Sequence, residues 1–151
     1  MLNLGSVMIS SFLASLGFGV LFNIKGNKLL LAGIVASIGG VVYQLSMQYG
    51  CSEMMAMFLG SIAFSLYSEI LARICKTPVT TFIICALIPL VPGGGMYRMM
   101  LQAIQGHVDE ALNIGLDTIS IAGVLVLGIL MVSTIMRSVF KTKRQVKRSE
   151  N

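Results

Sequence analysis

Pro89, Pro92, Gly93, Gly94, Gly95, Tyr97 and Arg98 stand together at the end of an apolar run, TFIICALIPLV. Their types suit binding rather than bond breaking. Prolines remove backbone donors and interrupt a helix, and glycines let a ligand come close to the backbone. A helix that restarts after them presents free N–H groups and the positive end of its dipole, which attract a carboxylate. The Tyr97 hydroxyl and the fixed charge of Arg98 would add to such a contact. No nucleophile–base pair, phosphate loop or HExxH pattern occurs in the chain, so the residues give no support to an enzyme.

The remaining reactive side chains are sparse. Glu69 is the one carboxylate inside an apolar block, which makes it the candidate for carrying a proton. It also lies one turn before Arg73 on the same expected helix, where an i,i+4 ion pair is the plainer use. Asp117 is expected at the outer start of the last apolar block, facing water at a helix N-terminus. Gln44 and Asn113 are weaker candidates as polar lining. His107 has Asp109 and Glu110 beside it but no second His or Cys, so an external loop is expected there and no metal site. The methionines, including the groups Met54, Met55, Met57 and Met99, Met100, read as packing material. Cys51, Cys75 and Cys85 follow no metal or redox spacing, and their odd number argues against a disulfide framework. No cofactor is expected.

These residues must be positioned by membrane helices. Of 151 residues, 56% are hydrophobic and only 11% charged, too few charges to cover a soluble domain of this size. The apolar residues gather into five blocks, about Leu4 to Phe22, Leu29 to Gln48, Met54 to Ala72, Val79 to Val91 and Ile119 to Met136, the fourth of them short. The others are close to the roughly 20 residues that cross a bilayer core. All are apolar all round, so helices rather than barrel strands are expected. The fold class is therefore all-α, a polytopic membrane protein of about five spans. The first block lacks a basic leading region and reads as a retained span.

Charge sets the orientation. The first loop carries Lys25 and Lys28, the second no Lys or Arg, and the third Arg73 and Lys76. Of the eleven Lys and Arg residues, six lie from Arg137 onward. Positive segments belong on the cytoplasmic side, which puts the N-terminus outside and the C-terminus inside a plasma (inner) membrane. The organisation expected is one transmembrane domain over 1–137 and a basic cytoplasmic tail over 138–151. That tail is a membrane anchor in character. No basic face on a folded domain exists to bind nucleic acid. Small residues recur every four positions at Ser11, Ser15, Gly19 and at Ala32, Ala36, Gly40, with Gly33 and Ser37 beside them, the spacing that lets membrane helices pack closely.

The fourth block has about thirteen residues before Pro92, roughly 20 Å of helix against a core of about 30 Å. After the glycines, MYRMMLQAIQ regains a helical period with Met96, Met99, Met100, Ala103 and Ile104 on one face. The fourth helix thus reads as broken at the Pro-x-x-Pro-Gly-Gly-Gly stretch. Two placements stay open: a break at membrane depth that lines a path, or a helix that ends at the outer surface and continues as an amphipathic helix lying flat.

The segment IPLVPGGGMYR resembles the hallmark of the threonine/serine exporter family. The likeness runs from SLGFGVLFNIKGNKLLLAGIVASIGGVVY through SEILARICKTPVTTFIICALIPLVPGGGMYR, and is nearest to the small, YjjB-type subunit, which corresponds to the C-terminal half of fused members. The resemblance implies export of threonine and serine. Its two-subunit branch implies a dicarboxylate such as succinate as the second substrate class. It maps the family motif onto Pro89, Pro92, Gly93, Gly94 and Gly95, with Tyr97 beside them. The N-terminal half of fused members has no counterpart in these residues, so the implied partner is a larger membrane subunit. Five spans supply about half of a two-half transporter, and with no nucleotide site an ion gradient is the expected energy source. The alternatives are a scaffold that only stabilises a partner and a homo-oligomeric pore.

Overall fold

The computed structural model describes the backbone of residues 4–149 and the side chains of 4–140. The basic side chains from Lys141 to Arg148 lie outside the described set. The chain is all helical: α1 (Leu4–Leu21), α2 (Asn27–Gln48), α3 (Glu53–Ile74), α4 (Val79–Leu87), a 3₁₀ turn (Ile88–Leu90), α5 (Gly93–Ile104) and α6 (Val108–Ser149). Four of these, α1, α2, α3 and α6, are long and apolar enough to cross a membrane. The short α4 with its 3₁₀ turn meets α5 at a 48° bend, and together they make the fifth candidate span.

The small-residue pattern does what its spacing promised. Ser11, Ser15 and Gly19 are the buried residues of α1, and Ala32, Gly33, Ala36, Ser37 and Gly40 are all buried on α2. A side chain on Gly40 would fall 2.5 Å from the Ser11 hydroxyl, and one on Gly33 would fall 2.7 Å from the Phe12 ring. These two contacts hold α1 and α2 antiparallel at a distance only glycine permits. Val35, Phe64, Phe82 and Cys85 are fully buried, and they tie α2, α3 and α4 together.

α3 and α6 run in parallel. Ser61 faces Gly128, and twelve residues further along both helices the Arg73 guanidinium stacks 3.6 Å over the Phe140 ring. This register sets Glu53, the first residue of α3, opposite Ser120. The first dozen residues of α6 therefore extend roughly 18 Å beyond α3 at 1.5 Å per residue. α5 packs antiparallel on that extension, Gly95 against Thr118 and Met99 against Gly115.

The last helix starts well before its apolar block. It does not start near Ile119 but at Val108, because Val108 to Leu116 carry a buried stripe of their own, Ala111 and Gly115, that packs on α5. Asp117 is consequently the tenth residue of α6, not its N-terminus.

Candidate functional site

The break in the fourth span begins deep in the bundle. Leu90 packs against Gly39 of α2 and Gly60 of α3: a side chain on Gly60 would fall 3.0 Å from it and one on Gly39 3.5 Å. Both glycines lie in the middle third of their helices, so the 3₁₀ turn ends near mid-depth. Val91 then turns extended (φ −58°, ψ 130°), and Pro92 (φ −74°, ψ 57°) starts α5 without a side-chain cap.

The glycines play a different part from the one their flexibility suggested. Gly93, Gly94 and Gly95 form the first turn of α5, and none has a positive φ. The bend is made at Val91 and Pro92, because proline cannot continue the preceding ladder. Gly95 is instead a packing glycine: any side chain there would collide with Thr118. Gly94 has open space where its side chain would be.

That space is a cavity of about 530 Å³. The broken segment supplies Pro89, Leu90, Val91, Pro92, Gly94, Gly95 and Arg98 to its wall. The rest comes from α1 (Val7, Ser10, Ser11), α2 (Gly40, Tyr43, Gln44), α3 (Glu53, Met57) and α6 (Ile114, Asp117, Thr118, Ile121). Four of the five expected motif residues and Arg98 are thus brought together. Gly93 is not on the wall. Neither is Tyr97, which is 67% exposed. Gln44 is a wall residue, whereas Asn113 is exposed on α6 and not on the wall.

The cavity is polar at one end. The Arg98 Nε donates to the Gly94 carbonyl at 3.3 Å, which folds the guanidinium back over the first turn of α5. The Met96 amide reaches the Pro92 carbonyl, while the amides of Gly94 and Gly95 meet no acceptor among the described residues. Two donors and the positive end of a helix therefore face the space beside a guanidinium, an arrangement that holds a carboxylate. The Ser11 side chain, 6% exposed, has no hydrogen-bond partner among the described residues.

Glu53 and Asp117 are wall residues the sequence reading missed. Both sit near expected loops and both are exposed, so nothing local marks them as wall residues. Only the packing of α3 and α6 around the break turns them toward one space. With Arg98 they are the charged groups of the wall, and none of the three is ion-paired with another described residue.

Glu69 is far from this site. It is 3% exposed, and its carboxylate accepts from Arg73 at 3.2 Å, the i,i+4 pair its spacing allowed. His107 contacts Gln102 at 2.9 Å, and no group of three metal-ligating side chains occurs among the described residues.

The profile of the family described as Threonine/Serine exporter, ThrE, matches residues 7–135. An uncharacterized protein of Haemophilus influenzae is similar, 23% identical over an alignment 137 residues long that covers 85% of this chain and 46% of that protein. The chain thus spans about half the length of the relative it matches. No solved structure matches the chain. A family match over this much of a polytopic, all-helical chain, including the whole of the broken span, is decisive: the chain belongs to the threonine/serine exporter family, a family of membrane transporters.

Proposed function

We propose that this chain is the small, YjjB-type half of an exporter for small hydrophilic carboxylates, with threonine and serine first and a dicarboxylate such as succinate second. The cavity at the break is its substrate site. The observation that carries this reading is the convergence of Pro89, Pro92, Gly94, Gly95 and Arg98 on one space with polar groups from α1, α2, α3 and α6. Irregular backbone at depth is tolerated where it lines such a cavity, and transporter sites are built from interrupted helices of this kind.

A larger membrane subunit supplies the other half in this proposal. The length of the relative supports it, and so does the surface of α5. No residue of α5 is buried, and Met96, Tyr97, Met100 and Ile104 are exposed beside Leu112, Leu116 and Ile119 of α6. The basic residues Lys25, Lys28, Arg73 and Lys76 mark the inner boundary. From Arg73, the roughly 30 Å of hydrocarbon ends near Glu53. The α5–α6 hairpin then stands outside it, where lipid does not cover apolar residues and the partner subunit does. The orientation is N-terminus outside and C-terminus cytoplasmic, in the plasma membrane.

Efflux of labelled threonine, serine and succinate from cells tests the proposal, with this chain expressed alone and then with the larger subunit. Export only with both is expected. Export by this chain alone would mean that copies of itself complete the path, and no export in either case would leave a scaffold.

A further inference from the structure

We infer that Asp117 is the ammonium-binding residue of the cavity and that, with Glu53, it makes the site select zwitterions over dicarboxylates. This rests on the proposal that the cavity holds the substrate.

The wall carries one guanidinium and two carboxylates. Arg98 and the free amides of Gly94 and Gly95 form a single anion-holding pole. A ligand with one carboxylate satisfies that pole. A ligand with two would set its second negative charge beside Glu53 and Asp117, two exposed carboxylates, where it meets like charge and no second cation of the wall. An α-amino acid instead brings one charge of each sign.

Contact geometry puts the two poles side by side. Gly95 touches Thr118, the residue next to Asp117. The Thr118 hydroxyl is tied to the Ile114 carbonyl at 2.6 Å and does not compete for the ligand. Asp117 is exposed and not ion-paired among the described residues, so a cation that enters the cavity can reach it. Ser11, 6% exposed and without a hydrogen-bond partner among the described residues, lines the same space and offers a contact for a substrate hydroxyl.

The test reads binding by protection from labelling. Gly94→Cys is placed in a background with Cys51→Ser and Cys75→Ser, the two partly exposed thiols of the chain, in cells that carry the complete transporter. Gly94 has open space around it, so the new thiol fits. A membrane-impermeant maleimide is applied to intact cells and to inverted membranes, with serine, succinate or 3-hydroxypropionate, which is serine without its ammonium. Serine should protect, and the other two should not. Adding Asp117→Asn should raise the serine concentration needed by about tenfold or more, the loss expected of a hydrogen bond to a charged group. It should also narrow the gap between serine and 3-hydroxypropionate, and Asp117→Glu should restore that gap. Protection by succinate equal to that by serine would overturn the inference, as would an unchanged gap in Asp117→Asn. In both cases the cavity would stand as the substrate site. If the thiol labels but no compound protects it, the cavity reading falls and the inference with it.

Discussion

The two ends of the helix bundle hold their charges in opposite ways. Toward the Glu53 end, an arginine and two acids surround open space and leave one another unpaired. Toward the Arg73 end, Glu69 is sealed at 3% exposure and matched by Arg73, whose guanidinium stacks on Phe140. Fully buried Phe64 and Phe82 lie between. The hydroxyls of Ser15, Ser65 and Ser68 are buried in this closed half with no hydrogen-bond partner among the described residues, each at a cost of about 1–3 kcal/mol. One end thus keeps its polar groups free for something that arrives, and the other consumes them in its own packing.

The largest effect should come from the open end. Arg98→Ala removes the one cation of the wall and should lower export by about tenfold to a hundredfold, with normal membrane insertion. Unchanged efflux at equal protein level would erase the functional contrast between the ends. Next come two adjacent glycines that the structure separates. Gly94→Val projects into the cavity and should lower export to a lesser degree than Arg98→Ala does, while leaving the protein as heat-stable in detergent as before. Gly95→Val collides with Thr118 and should cost stability, about 1–3 kcal/mol for an overpacked contact, read as a lower melting temperature. If both variants only destabilise, the open space at Gly94 is not a binding site.

Much of this was legible in the residues. Helix number and type followed from the apolar blocks, and the close α1–α2 packing followed from Ser11, Gly33 and Gly40, because small-residue spacing is a local signal. The break was legible from Pro89 and Pro92 for the same reason. Its depth was not, since it depends on Leu90 finding Gly39 and Gly60 on two other helices. Nor was the true start of α6: hydropathy marks where lipid is met, and α6 begins before that, on α5. The acids of the wall were hidden by the same fact. Asp117 is exposed as its sequence suggested, and only the α5–α6 contact places it on the cavity wall.

Glu69→Gln sharpens the contrast from the closed end. The amide keeps the size and one hydrogen bond to Arg73, while Arg73 retains its stacking on Phe140 and its 35% contact with solvent. Export should fall less than about threefold, and its dependence on external pH should keep its shape, because Glu69 is not on the cavity wall and its carboxylate is occupied by Arg73. Loss of the pH dependence in this variant would make Glu69 the coupling residue and move the working chemistry to the sealed end.

The smallest effect separates neighbours on one helix. Tyr97 precedes Arg98 yet points away from the wall, 67% exposed. Removing its hydroxyl with Tyr97→Phe keeps the apolar ring that the outward face of α5 presents, so export should change by less than about twofold, within the spread of surface substitutions. Tyr97→Asp puts a charge on that same face without touching the cavity. If a partner subunit covers the face, export and recovery of the partner with this chain should fall together, since a charge buried there has no counterpart. If Tyr97→Phe alone cuts export as deeply as Arg98→Ala does, the hydroxyl reaches substrate, and the cavity drawn by Arg98, Asp117 and Glu53 is incomplete on the α5 side.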